Sequence, residues 1–178
     1  MALKNTAESY GWLAKLLHWG IAVLIFYLIY LGLEGSSMES GDAKSAIRGL
    51  HKSVALVVLT LMTVRLLWRL ANPRPDDPPG TPAWQNTAAV WAHRLMYAAI
   101  YFQLTAGLLV SGQRAIPFFG LFEIPAFLEE NEEQHHFFEE LHETGWIVIA
   151  VLIGIHVLAA LYHHFKLKDN VLKRMTTG

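Results

Sequence analysis

The sequence predicts an all-α integral membrane protein, a four-helix bundle with both termini in the cytoplasm. Of its 178 residues, 53% are apolar and only 16% are charged, a composition too apolar for a soluble domain of this length. Three uncharged runs approach or exceed the ~20 residues that a spanning helix needs, and they are Leu16–Leu33, Leu95–Gln113 and Thr144–Phe165. A fourth segment, Gly49–Trp68, is apolar apart from two basic side chains that are able to reach the membrane surface.

The length predicts one domain that covers residues 1–178. The chain contains no cysteine, which excludes disulfides, thiolate-bound iron–sulfur clusters and covalently attached c-type haem. The apolar runs predict a multi-pass membrane protein, surrounded by lipid and without a nucleic-acid partner.

The basic residues are distributed unevenly between the two ends of the predicted helices. Four of them, Lys44, Arg48, Lys52 and Arg114, fall on one side, and the other ten fall on the opposite side: Lys4, Lys15, Arg65, Arg69, Arg74, Arg94, Lys166, Lys168, Lys173 and Arg174. Because positive residues accumulate on the cytoplasmic side, both termini and the proline-rich segment 72–82 are predicted to be cytoplasmic. The segments 34–48 and 113–141 are then predicted to face outward.

The second of these outer segments has an apolar half and an acidic half. Pro117 and Pro125 divide Ile116–Leu128 into pieces too short to span a membrane, so we expect this half to lie on the membrane surface. Glu129–Leu141 is rich in glutamate, and we expect it to form a short acidic helix.

Four histidines in apolar segments form two predicted pairs. His142 and His156 are fourteen residues apart, so they project from nearly the same helix face, about 21 Å apart along the axis. His51 begins its apolar segment on the outside, and His18 lies near the cytoplasmic end of its own. These depths pair His51 with His142 and His18 with His156. We therefore predict two non-covalently bound haems, each held at its iron by two imidazoles.

Each histidine has a simpler reading, a hydrogen bond between helices, but four matched in two layers are difficult to explain by packing. His93 is the alternative to His18, which we prefer because it lies within its uncharged run. His163 follows His156 by seven residues on the same face, ~10 Å nearer the cytoplasm. It is placed to hydrogen-bond a quinone carbonyl, and His164 is its competitor. Alternatively, His163 and His164 form an interfacial pair among lipid headgroups.

Two basic residues are candidates for binding a haem propionate or a quinone. Arg65 lies near the predicted inner haem, and Lys52 flanks the outer one. Basic side chains bind carboxylates such as the haem propionates, arginine through two hydrogen bonds. The alternative role of both residues is to anchor their helix at the membrane surface.

Short motifs occur in order along nearly the whole chain, namely His18-Trp19, Gly49-Leu50-His51, Val64-Arg65-Leu66-Leu67-Trp68-Arg69-Leu70, Asn72-Pro73-Arg74-Pro75, Leu141-His142-Glu143-Thr144, Tyr162-His163-His164-Phe165 and Lys168-Asp169-Asn170. In order and spacing they resemble the bacterial cytochrome b561 family. The resemblance implies a four-helix bundle of the bacterial inner (plasma) membrane, with two b-type haems and a quinone site near the cytoplasmic haem.

One branch of that family resembles a superoxide oxidase, which takes electrons from superoxide outside and reduces ubiquinone. His163 matches the position that contacts quinone in that branch. The resemblance thus implies an oxidoreductase that carries electrons from superoxide through the haems to ubiquinone. The acidic outer segment departs from that branch, whose outer surface is basic. A periplasmic redox protein or a larger dehydrogenase complex is therefore the alternative partner, and a non-redox metal transporter is a third hypothesis.

Overall fold

The computed structural model describes residues 2–78 and 80–177 and is mostly helical, as predicted. The long helices are α1 (Trp12–Ser37), α2 (Asp42–Ala71), α3 (Ala83–Ser111) and α4 (Glu132–Tyr162). Helix α4 continues into a π-helical turn, His163–Leu167, and a short helix α5 follows at Val171–Met175.

Three helical segments of the described chain are long and apolar enough to cross a membrane, namely Trp12–Ser37, Asp42–Ala71 and Glu132–Leu167. Together with the relatives described below, they confirm a multi-pass membrane protein. Helix α3 has 29 residues, which is sufficient length, but Arg94 and Gln103 reduce its apolar character. The fourth span therefore stays a prediction.

The outer segment between α3 and α4 differs from the prediction in two ways. Residues 116–124 form an antiparallel hairpin of β1 (Ile116–Phe118) and β2 (Phe122–Ile124), with Pro117 opposite Glu123. The all-α expectation is therefore incomplete. β-Branched and aromatic side chains favour a strand, and Gly120, at φ 72°, permits the tight turn.

The acidic residues from Glu132 onward are helical, as predicted, but they do not form a separate short helix, because they are the first turns of α4. Asn131 caps this helix, since its side-chain oxygen accepts a hydrogen bond from the Gln134 amide at 2.9 Å. Glu132 and Glu133 lie in the first turn, where negative charge complements the helix dipole. The acidic residues therefore form the N-terminal turns of α4.

Contacts divide the chain into two units. The first comprises residues 1–20, 62–99 and 147–178, and the second comprises residues 21–61 and 100–146. Each of the four long helices contributes residues to both units. The single domain stays a prediction.

In the second unit, a buried serine attaches the hairpin to α2. The Ser53 hydroxyl donates to the carbonyls of Gly49 (2.9 Å) and Pro117 (3.0 Å) and accepts from the Phe119 amide (3.0 Å). Ile116 is also buried. The hairpin is therefore fixed beside the turn of α2 that carries His51.

In the first unit, hydrogen bonds connect the N-terminal segment to residues 73–76 and α1 to the C-terminal segment. Asn5 donates to the Pro73 carbonyl at 2.9 Å, and the Asp76 amide donates to the Ala7 carbonyl at 2.9 Å. The indole of Trp19 donates to the Met175 carbonyl at 2.8 Å. These bonds hold the start of α1 against the segment that carries α5.

Candidate functional site

His51 and His142 form an imidazole pair in the second unit. Their ring centroids are 6.1 Å apart, and their planes are nearly perpendicular. Because a metal–imidazole nitrogen bond is about 2 Å long, two imidazoles that share one iron have centroids roughly 6 Å apart. The observed spacing therefore fits two imidazoles that would hold one haem iron.

The His142 ring is oriented by the backbone of α3. Its Nδ1 donates to the Gln103 carbonyl at 3.1 Å, and the Gln103 side chain donates to the His142 carbonyl at 2.8 Å. A carbonyl oxygen accepts only, so Nδ1 of His142 carries a proton. In the neutral ring the lone pair is then on Nε2, as a metal-bound histidine requires.

Two glycines border the same pair. A Cβ at Gly107 would lie 2.7 Å from Cε1 of His142, which is too close for any side chain. A Cβ at Gly32 would lie 3.5 Å from Cε1 of His51, an ordinary contact. The His51 ring also interacts with the backbone of Leu28 on α1, so it is oriented by a neighbouring helix as the His142 ring is.

Lys52 follows His51 directly and is partly buried. It lies close enough to Arg48 and Arg114 to interact electrostatically with both. Three of the four basic residues predicted on the outer side are therefore grouped beside this imidazole pair. Such a group attracts anions, including a haem propionate.

The first unit brings three imidazoles together rather than two. The ring centroids of His18 and His156 are 6.1 Å apart, and those of His93 and His156 are 5.4 Å apart. The 6.1 Å spacing fits two ligands of one iron as in the other pair, whereas His93 lies closer than that arrangement needs. Spacing thus favours His18, the residue preferred from the sequence.

Hydrogen bonding at these rings gives a different indication. Nδ1 of His93 donates to the Ala89 carbonyl at 2.6 Å, which leaves the Nε2 lone pair for a metal. Arg65 donates to Nδ1 of His18 at 2.8 Å, because a guanidinium is only a donor. The proton of the neutral His18 ring is then on Nε2, so this nitrogen has no free lone pair for a metal. The choice between His18 and His93 therefore stays a prediction.

Arg65 links His18 to an aromatic side chain. The guanidinium carbons of Arg65 and Arg69 lie 5.7 and 5.6 Å from the Tyr97 ring centroid, within cation–π distance. The Tyr97 hydroxyl is buried without a hydrogen-bond partner in the described chain. Two guanidinium groups and a hydroxyl donor thus lie together, with Arg65 in contact with His18, and they match the chemistry of a propionate.

His163, the predicted quinone ligand, is the first residue of the π-helical turn. Its Nδ1 donates to Oδ2 of Asp169 at 2.6 Å, and both side chains are about four-fifths buried. The competing His164 has a buried Nδ1 without a hydrogen-bond partner among residues 2–78 and 80–177.

Sequence reasoning missed three residues of these sites, Gln103, Gly107 and Asp169. Gln103 had a usable signal, because an amide inside an apolar run is rare and usually functional. Asp169 lies in one of the motifs quoted above, Lys168-Asp169-Asn170, but the motif did not assign it a role. Gly107 had no signal, because its importance depends on which side chain from elsewhere lies next to it.

Comparison with known proteins gives consistent matches over the whole chain. The family described as prokaryotic cytochrome b561 matches residues 9–178. Cytochrome b561 homolog 2 of Escherichia coli (strain K12) is 32% identical over 98% of this chain and 95% of that protein. Cytochrome b561 homolog 1 of the same strain is 31% identical over 89% and 92%. A protein named probable superoxide oxidase CybB, from Yersinia pestis, is 29% identical over 94% and 96%.

Proposed function

Because the chain belongs to the prokaryotic cytochrome b561 family, whose members are membrane electron-transfer cytochromes with b-type haem, we propose that it binds two haems and passes electrons from an outer donor to ubiquinone. We propose a single-domain bundle of four spanning helices, α1 to α4, with both termini in the cytoplasm. The ten-to-four distribution of basic residues supports this orientation.

His51 and His142 would hold one haem iron, and His18 and His156 would hold the other. The observation that carries this proposal is the repeated ring spacing of 6.1 Å in both pairs. When bound in this way, b-type haem transfers single electrons and has no open position for oxygen. Gln103 orients the ring of His142, and the positive charge of Arg65, which lies beside His18, would compensate a haem propionate.

Superoxide is the electron donor that the comparisons support best. The likeness to a probable superoxide oxidase favours it, and so does the position of Lys52, Arg48 and Arg114 beside the outer pair. Positive groups at a reaction site raise the encounter rate of a small anion. His163 is the candidate contact for ubiquinone at the other end of the pathway.

The acidic start of α4 supports a second candidate donor, a basic periplasmic redox protein, or docking within a larger dehydrogenase complex. The side chains of Glu129, Glu130, Glu132, Glu133 and Glu140 are all exposed. A surface of this charge steers a basic partner and determines its approach.

The experiment is a stopped-flow measurement on the purified, haem-loaded protein. Superoxide is mixed with oxidised protein, and haem reduction is followed optically with and without a short-chain ubiquinone. We expect rapid reduction that superoxide dismutase abolishes, followed by quinone-dependent reoxidation. If superoxide leaves the haem oxidised but a basic redox protein reduces it, the second candidate donor replaces superoxide.

A further inference from the structure

The end of α4 has an unusual geometry that brings together the side chains of His163 and Asp169, which are six residues apart. Helix α4 widens into a π-helical turn at His163–Leu167, and Lys168 adopts a left-handed conformation at φ 55°. A non-glycine residue there is strained, and single π-helical turns are frequent at functional sites. The result is the 2.6 Å contact between Nδ1 of His163 and Oδ2 of Asp169.

The carboxylate of Asp169 is fixed from two directions. Oδ2 accepts from His163, and Oδ1 accepts from the Val171 amide at 3.0 Å, at the start of α5. A carboxylate is only an acceptor, so Nδ1 of His163 carries the proton in this contact. The neutral ring therefore has its lone pair on Nε2, and it can donate from Nε2 only after it takes up a second proton.

We propose that Asp169 is the positioning residue that makes His163 a proton donor to ubiquinone. This inference rests on the proposed function and deepens it. When His163 carries two protons, the Asp169 carboxylate forms an ion pair with it. The Nε2 proton then points away from Asp169 and is the one available to a quinone carbonyl oxygen.

The reaction balances with solvent as the only further reactant. Two electrons, delivered singly from the outer donor, and two protons convert the quinone to the quinol. Each proton passes from Nε2 of His163 to a carbonyl oxygen, and water from the cytoplasmic side returns a proton to the ring. Asp169 keeps its negative charge throughout, so it orients and compensates the imidazole without giving up a proton itself.

The Asp169→Asn variant separates this role from a purely structural one. Asparagine is nearly the same size and keeps one oxygen for the Val171 amide, so the hydrogen bond at the start of α5 is retained. Its amide nitrogen, however, would donate to Nδ1 and place the only ring proton of His163 on Nε2. A neutral ring of this kind still hydrogen-bonds a quinone carbonyl but has no proton to release as an acid. Asp169→Glu keeps the negative charge and is the conservative rescue.

The test uses the purified holoprotein with both haems pre-reduced, mixed with increasing concentrations of ubiquinone-1. For Asp169→Asn we expect the maximal reoxidation rate to fall about 10²-fold, with little change in the half-saturating quinone concentration and with full haem content. Asp169→Glu is expected to recover part of the rate. Asp77→Asn, which changes a more exposed carboxylate paired with Arg74, is the matched control and should behave like the wild type.

The outcomes separate this inference from the proposed quinone site. If His163→Ala slows reoxidation but Asp169→Asn does not, the role of Asp169 is wrong and the quinone site stands. An effect of Asp169→Asn on half-saturation alone would also overturn it, because the residue would then act in binding. If His163→Ala leaves reoxidation unchanged, the quinone site itself is misplaced and the inference fails with it.

Discussion

His142 and Gln103 are joined by two hydrogen bonds of opposite direction. The ring of His142 donates to the backbone of Gln103, and the side chain of Gln103 donates to the backbone of His142. The arrangement fixes both the rotation and the protonated nitrogen of one predicted haem ligand, and it requires α3 to pass close to α4. Gly107, one turn further along α3, permits this approach.

Gly107→Ala should therefore lower the haem content from two toward one per chain. Its methyl group would lie 2.7 Å from Cε1 of His142, and the ring would have to leave its position. Haem per chain, measured as the pyridine haemochrome, checks the prediction. Gly41→Ala is the control, because no atom lies within 4 Å of the Cβ it would add and Gly41 precedes α2, away from the proposed ligands. Two haems in the Gly107 variant would show that the ring tolerates displacement.

His18→Ala should remove the inner haem, whereas His93→Ala should leave both haems bound. The reason is the 6.1 Å spacing of His18 and His156, which matches the outer pair, against 5.4 Å for His93. Reduced-minus-oxidised spectra of the two variants distinguish them. The reverse result, with haem lost from the His93 variant alone, would assign the inner ligands to His93 and His156.

Arg65→Met should lower the midpoint potential of the inner haem while both haems remain bound. The guanidinium donates to His18, and its positive charge disfavours the oxidised, more positive iron. A change of about 1.4 kcal/mol in that interaction corresponds to ~59 mV for one electron. Optical redox titration measures the shift. Arg74→Met is the control, since Arg74 pairs with Asp77 at the surface. If the midpoint potential equals that of the wild type in both variants, Arg65 does not act on the inner haem.

Lys52→Gln should slow the reduction of haem by superoxide, and added salt should slow the wild-type reaction. The acidic outer segment by itself would repel an anion and so give the opposite result, a salt effect that accelerates the reaction or is absent. The structure groups Lys52 with Arg48 and Arg114 beside the outer pair. Salt screens their attraction for superoxide, because the Debye length is ~8 Å at physiological ionic strength. Stopped-flow rates at several salt concentrations decide between the two. A rate that rises with salt would restore the acidic segment as the dominant charge.

The long helices were predictable because each depends on a continuous apolar run, which length and composition alone reveal. The hairpin was not, because strands of three residues are too short for an alternating pattern. Pro117 and Pro125 were interpreted only as helix breakers. The acidic residues before His142 were separated from α4 in the prediction because charge was taken as a boundary, whereas Asn131 caps a helix that begins with them.

The candidate site was predictable to the level of depth along each helix. Residue spacing places His18 and His156 at similar depths, and the structure does bring them together. Spacing does not determine how far a helix is rotated or where a side chain points. The competition between His18 and His93, and the contact of His163 with Asp169, therefore required the three-dimensional arrangement.

The haem content of single-histidine variants tests the central proposal most directly. We predict that His142→Ala and His156→Ala each bind one haem per chain, that the two remaining haems differ in spectrum and midpoint potential, and that the exposed control His136→Ala binds two. The proposal of two bis-histidine haems would be contradicted by two haems in either His142→Ala or His156→Ala, or by the same remaining haem in both.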